Sequence, residues 1–218
     1  MSFNQIFKKS TFQIPKNGTI NCHAGKLPFY RGRNVLNWAL INDEKEFGIT
    51  VHFIDEGIDT GDIILQKAFQ IKDSDNYKTL LNKAYEECPK LLFQSIKKIQ
   101  NNKLKVIPQK NLSKSFMYCT KRIDGDEIID WDKKSREIFN FIRALTIPGP
   151  CAQTFAKGNI VKIIKAEFLP NAPKYIGIAG SVLEVNVNYF LIKTKDSFLK
   201  ITEWESETKI INGLRFMS

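Results

Sequence analysis

Histidine is scarce in this chain of 218 residues, which holds only His23 and His52. Cysteine is nearly as rare, and Cys22, Cys88, Cys119 and Cys151 never form a Cys-x-x-Cys pair. That scatter excludes both a zinc knuckle and a disulfide framework, so the four read as reduced packing residues and no metal site is expected. No run of eighteen apolar residues occurs, which excludes an obvious membrane-spanning helix. The first residues lack the basic flank, apolar stretch and small-residue cleavage site of a signal peptide. A cytoplasmic protein with no membrane partner is the expectation. Internal repeats and low-complexity segments are also absent.

What is present is an ordinary globular composition. An apolar fraction of 43% over 218 residues is enough for one large domain or two small ones. The net charge is +10, from 33 basic against 23 acidic residues. Such a balance suits a polyanion, whether tRNA or a nucleotide diphosphate. The lysines fall in small clusters, Lys8-Lys9, Lys97-Lys98 and Lys133-Lys134, without the interleaved aromatics of an RNA-binding sheet. Dispersed charge of this kind is ordinarily a solvated face, so nucleic acid is not the expected partner on charge alone.

Periodicity divides the chain. The turn Pro15-Lys16-Asn17-Gly18 leads into a strand that ends at Asn21 to His23. A helix is predicted over Val35–Ile41, and strands over 48–54 and 63–71 flank the loop Asp55 to Gly61. The longest helical pattern, 75–99, places Leu80, Leu81, Ala84, Leu91, Leu92, Ile96 and Ile99 on one side, with a bend expected at Pro89. These elements alternate in the α/β manner and define a first domain over residues 1–100. The polar, Lys-rich stretch 101–114 reads as a linker. Residues 115–218 form a second domain: a short helix over 138–145, ending before Pro148-Gly149-Pro150, then runs at 151–155, 160–168, 180–187, 189–194 and 198–204 that read as strands of a small barrel or sandwich.

Three pieces near the start carry the chemistry: Asn21-Cys22-His23, the loop Leu27-Pro28-Phe29-Tyr30-Arg31-Gly32-Arg33, and Asp55-Glu56-Gly57-Ile58-Asp59-Thr60-Gly61. On an extended strand Asn21 and His23 project to the same side. An amide N–H can donate to the oxyanion of a tetrahedral intermediate, and imidazole can take the proton that an attacking amine loses. A carboxylate from a distant loop, Asp59, can orient the ring as in a triad. Each piece also has a plain structural reading. Asn-x-His is a common triplet, Asp59-Thr60-Gly61 is a turn signature, and Trp38 suits a core. Arg31-Gly32-Arg33 is either a solvated loop or a pair of guanidiniums set for a phosphate or carboxylate.

The order of Asn-x-His, Leu-Pro-x-Tyr-Arg-Gly-Arg, Gly-Ile-Thr-Val-His and Ile-Asp-x-Gly-x-Asp-Thr-Gly resembles the formyltransferase family that uses 10-formyltetrahydrofolate. The likeness continues through Ile129-Asp130-Trp131 and Ile142-Arg143-Ala144, so it spans most of the chain. It implies that Asn21 stabilises the oxyanion, His23 serves proton transfer and Asp59 supports both. It further implies that Gln5, Ile6, Phe7, Arg33, Asp55, Glu56, Gly57, Ile58 and Asp59 hold the folate co-substrate. The run Arg31-Gly32-Arg33-Asn34-Val35-Leu36-Asn37-Trp38 is similar to the branch that formylates amino sugars on dTDP or UDP carriers, whose members are often homodimers. Formylation of initiator tRNA is the alternative. The implied fold is α/β, a partial Rossmann-like formyltransferase domain followed by a smaller β-rich domain. Only twenty residues precede Asn21, whereas one βαβ unit takes about 30, so the opening strands of that sheet are expected to be missing. A catalytically silent remnant that binds a nucleotide sugar is the further reading that follows from this expectation.

Overall fold

The computed structural model describes residues 6–101 and 103–218. Contacts divide the chain into two compact units: residues 1–39, 44–73 and 79–122 form the first, and residues 40–43, 74–78 and 123–218 the second.

In chain order the elements up to residue 122 are α1 (Lys9–Phe12), β1 (Ile20–His23), β2 (Arg31–Gly32), α2 (Val35–Ile41), β3 (Glu46–Phe53), β4 (Ile63–Gln70), α3 (Tyr77–Gln100), a 3-10 turn (Gln109–Asn111) and β5 (Tyr118–Cys119). The main sheet has the order β1-β3-β4. Both of its pairings are antiparallel. The alternation of helix and strand read from the sequence is present, but a connection as short as 54–62 can only turn a hairpin. A parallel crossover takes about a dozen residues or more. The one parallel pairing among the described strands joins β2 to β5. Within the sheet Asn21 stands opposite His52, Cys22 opposite Val51, and His23 opposite Thr50. One face of β1 and β3 therefore presents Asn21, His23, Thr50 and His52, and the other presents Cys22 and Val51.

α3 runs unbroken from Tyr77 to Gln100 with Pro89 inside it. Its buried line is Leu80, Ala84, Glu87, Leu91 and Ser95, so the helix is rotated from the face expected, and Ile96 is exposed. The charged member of that line is satisfied: Glu87 accepts from Lys67 at 2.9 Å and from Lys90 at 2.8 Å. The stretch read as a linker is tied into the first unit. Ile107 bridges Ile63 in both directions, at 2.9 and 2.8 Å, and Gln109 is buried.

The second unit contains α4 (Ser135–Leu145), β6 (Ala152–Ala156), β7 (Asn159–Glu167), β8 (Val182–Val185), β9 (Phe190–Lys193) and β10 (Phe198–Ser206). The five strands are ordered β6-β7-β10-β9-β8 and pair antiparallel throughout. The last residues then close the sheet: Met217 bridges Phe155 on β6, and Arg215 bridges Ser181 beside β8. Between a barrel and a sandwich, the structure is the barrel-like form, because one segment satisfies both edges that would otherwise be open. The apolar face of α4, with Ile138, Ile142 and Leu145, fills the interior together with Trp131, Val161, Ile163, Phe190, Ile192, Leu199 and Ile201. Lys193 is buried as well, and its three ammonium protons go to the carbonyls of Tyr175, Thr194 and Ser197 at 2.8, 2.6 and 3.1 Å. A buried ammonium is tolerated because every donor is used.

Phe190 has no solvent exposure, and its ring meets Trp204 edge-on at 4.9 Å and Phe216 at 5.7 Å. Phe190→Ala is expected to cost about 3–5 kcal/mol of unfolding free energy, read from the urea midpoint.

Candidate active site

The site is built where β1, β3 and two loops converge on Asp59. β1 brings Asn21 and His23 to one face because they are two residues apart on an extended chain. The loop between β3 and β4 brings Asp59, whose backbone is in the left-handed region at φ 53°. Asp tolerates that conformation better than most side chains do. The next glycine, Gly61, lies so close to the Phe53 carbonyl that a Cβ would collide with it. Gln109 then clamps the turn, donating from Nε2 to the carbonyls of both Asp59 and Gly61 at 2.8 Å. Its own Oε1 accepts from Arg31 Nε at 3.1 Å and Nη2 at 2.6 Å.

Four groups approach the Asp59 carboxylate. The Gly32 N–H donates to Oδ2 at 2.9 Å. Gly32 sits at φ +96° and a Cβ there would strike the Cys119 carbonyl oxygen, so only glycine fits. His23 Nδ1 lies 3.6 Å from Oδ2, and His52 Nε2 lies 3.4 Å from Oδ1. Asn21 Nδ2 is 3.4 Å from Oδ1 and also 3.4 Å from His52 Nε2. Each ring's other nitrogen is committed to backbone: His23 Nε2 to the Tyr30 carbonyl at 2.6 Å, and His52 Nδ1 to the Phe53 carbonyl at 2.7 Å. A carbonyl oxygen can only accept, so those nitrogens carry protons. In the neutral tautomer this leaves His23 Nδ1 as a lone pair aimed at the carboxylate.

Burial pushes the His23 pKa below its ordinary 6.5, and the attraction of Asp59 and the Tyr30 carbonyl offsets this only in part. Burial pushes Asp59 the other way, but contact with His52, the proximity of His23 and the Gly32 N–H outweigh it and hold the carboxyl at about 2. The cluster therefore pairs an ionised carboxylate with a neutral imidazole at pH 7. A proton taken by His23 Nδ1 would be stabilised by Asp59. The long contacts of Asn21 leave its amide N–H able to turn to a new acceptor.

Of the residues marked in the sequence, Asn21, His23 and Asp59 are brought together. The folate set separates. Asp55, Glu56, Gly57 and Ile58 form an exposed rim above Asp59. Asp55 shapes its own loop by accepting from the Gly57 N–H at 3.2 Å and from the Thr60 hydroxyl, while Glu56 pairs with Lys9. Arg33 is exposed, Ile6 is exposed and Phe7 is half-buried, while Gln5 lies outside the described residues. Arg31 is not a surface anion ligand: it is buried, held by Gln109 and covered by Phe116 at 5.1 Å and Tyr118 at 5.6 Å. Sequence reasoning missed two members, His52 and Gln109. His52 had a signal, since it alternates with Thr50 on a strand that must face β1. Gln109 had none, because a lone Gln in a Lys-rich stretch looks solvated.

Matches to known proteins define the class, a transferase of one-carbon groups. Residues 1–96 match the formyl transferase family, and residues 123–218 match the formyl transferase C-terminal domain. The chain belongs to the formyltransferase family, for which formyl-tetrahydrofolate is the co-substrate. A methionyl-tRNA formyltransferase of Thermodesulfovibrio yellowstonii is 37% identical over 221 residues, covering 100% of this chain and 68% of that protein. The chain thus spans about two thirds of that relative's length. Among solved structures, the N-formyltransferase from Helicobacter canadensis, in complex with folinic acid and dTDP-3-aminofucose, has a TM-score of 0.75 at 30% identity, over 94% of this chain and 72% of that one. WlaRD, a sugar 3N-formyl transferase with dTDP and 5-N-formyl-tetrahydrofolate, has 0.74 at 31%, over 94% and 71%. A methionyl-tRNA formyltransferase from Clostridium thermocellum shares the fold, with a TM-score of 0.61 at 20% identity, over 78% of this chain and 71% of that one. No described helix is long and apolar enough to cross a membrane.

Gln109→Ala removes the clamp on the Asp59 turn and the partner of Arg31. It is expected to cost about 2 kcal/mol or more in a urea titration, the penalty of leaving buried polar groups unpaired. Stability is also expected to fall with acid in two windows. Unfolded histidine takes a proton near 6.5 and folded His23 resists it, so stability declines as pH drops through that value. The stabilisation from Asp59 is present above 3.8 and is lost as pH falls towards about 2. Urea midpoints across this range test both, and His23→Gln should flatten the upper window and narrow the lower one, because His23 helps to hold Asp59 down.

Proposed function

We propose that this protein transfers a formyl group from 10-formyltetrahydrofolate to the amine of an amino sugar carried on a nucleotide diphosphate. The observation that carries the chemistry is the convergence of Asn21, His23 and Asp59 within 3.4 to 3.6 Å. The neutral amine attacks the formyl carbon and a new C–N bond forms. The carbonyl oxygen takes up negative charge, and the Asn21 amide N–H donates to it. The amine then loses its proton towards His23 Nδ1, where Asp59 stabilises the imidazolium. The bond from the formyl carbon to the folate nitrogen breaks, and the proton ends on that nitrogen. Asp59 orients the imidazole and needs no change in its own ionisation.

The exposed rim Asp55 to Ile58 is where the folate would lie, with Ile58, 48% exposed, offering an apolar face beside the carboxylates. Two features support the sugar acceptor. Arg33 to Trp38 carries the pattern similar to sugar-modifying relatives. The two sugar N-formyltransferase structures also match more of the chain, at higher identity, than the tRNA-modifying structure does. The charge of +10 serves a diphosphate as readily as an RNA backbone. A tRNA acceptor is the second reading, favoured by the 37% identity to a methionyl-tRNA formyltransferase.

Turnover with 10-formyltetrahydrofolate and a panel of dTDP- and UDP-linked amino sugars, run beside methionyl initiator tRNA, separates the two. The expected result is formylation of a sugar with a weak salt dependence. Formylation of tRNA alone, falling steeply with salt through counterion release, would overturn the sugar reading. Asn21→Ala and His23→Asn should each lower kcat by about 10²-fold or more while the protein remains folded. Full turnover in His23→Asn would remove His23 from the mechanism.

A further inference from the structure

The strand that presents Asn21 and His23 to the site turns Cys22 to its opposite face. There the Cys22 thiol reaches α3, donating to the Cys88 carbonyl with Sγ at 3.7 Å from the oxygen. Interaction with Cys88, aided by burial, pushes the Cys22 thiol far above its ordinary range, and interaction with Cys22 pulls Cys88 down. Cys88 is therefore the more acidic of the two thiols. Neither residue is fully buried. The other two cysteines differ on each count: Cys119 and Cys151 are buried, and burial raises both thiols, Cys119 to about 11.

We infer that Cys22 and Cys88 form a reversible dithiol switch, which a hydroperoxide closes to a disulfide tying β1 to α3 and displacing Asn21 and His23. The Cys88 thiolate attacks a peroxide oxygen, the O–O bond breaks, and hydrogen peroxide leaves as water once protonated; Cys88 becomes a sulfenic acid. The Cys22 sulfur then attacks the Cys88 sulfur, the S–O bond breaks, and a second water departs. Two thiols lose two electrons and two protons, and one peroxide becomes two waters. A disulfide holds its sulfurs about 2.05 Å apart. Closing the bond therefore draws Cys22 and Cys88, already in contact through the Cys88 carbonyl, towards each other. The residue that moves lies between the oxyanion donor and the base. A misplacement of about 1 Å at such a site can cost about 10²-fold in rate.

The activity readout rests on the proposed function, whereas the covalent readout does not. The purified protein is treated with a slight excess of hydrogen peroxide, its remaining thiols are alkylated, and its peptides are mapped by mass. The expected result is a Cys22–Cys88 linked peptide, with titratable thiols falling from four to two. Formyl transfer should fall tenfold or more and return with dithiothreitol. Cys88→Ser, or Cys88→Ala if the first folds poorly, should resist the inactivation. Peroxide-treated protein without the Cys22–Cys88 link would overturn the switch, as would a linked protein with undiminished turnover. Protein that forms the link yet transfers no formyl group when reduced would sink the proposed function and leave the dithiol standing.

Discussion

The half-buried carboxylate of Asp59 is the interaction on which the first unit depends. It meets the Gly32 N–H at 2.9 Å and faces two imidazoles and one amide at 3.4 to 3.6 Å. These partners come from β1, β2 and β3, so placing one negative charge fixes three pieces of chain. A charge this far from water is tolerated only when its lone pairs are met. Here the Gly32 N–H and the Asn21 amide donate to it, and each imidazole is held beside it by its other nitrogen, tied to a carbonyl. The same arrangement that stabilises the charge leaves His23 Nδ1 as a proton acceptor, so structural and chemical requirements coincide at one atom.

Support for Asp59 comes from further along the chain. Gln109 holds the backbone of the Asp59 turn and at the same time neutralises the donors of Arg31. Arg31 belongs to β2, whose next residue, Gly32, donates to the carboxylate. Gln109 thus couples the two loops that form the site. The left-handed backbone at Asp59 and the close approach of Gly61 to Phe53 are local costs that this clamp offsets. The second unit solves a different problem, the open edges of a five-stranded sheet. Its final residues bridge both edges, and α4 fills the interior.

Much of the local structure was legible in the residues. The helix at Val35–Ile41 begins and ends where its apolar spacing predicts, and the strand pattern of β3 and β4 departs from prediction only at the ends. Alternation along β1 put Asn21 and His23 on one side. The buried face of α3 was harder, because Glu87 and Ser95 are buried there while Ile96 is exposed. Side-chain polarity misleads when a carboxylate is satisfied by two lysines. Arg31 misled in the same way: a guanidinium beside Gly and another Arg reads as an anion site, yet it is sealed under Phe116 and Tyr118. The segment 101–114 read as a linker because the one buried polar side chain among its described residues, Gln109, leaves no periodic trace.

The sequence by itself determined which residues have the hydrogen-bonding and proton-transfer capacity that the proposed chemistry needs, since Asn, His and Asp have it wherever they lie. It also determined the order of elements, since apolar spacing and turn residues act over a few neighbours. Tertiary structure decided which nitrogen of each imidazole is committed to backbone, which carboxylate of the Asp55 to Asp59 loop reaches the site, and that His52 and Gln109 belong to it. Those outcomes depend on pairing between segments up to about 80 residues apart, as Arg31 is from Gln109. Only packing sets the distance and angle of such contacts, and a hydrogen bond exists or fails over a few tenths of an ångström.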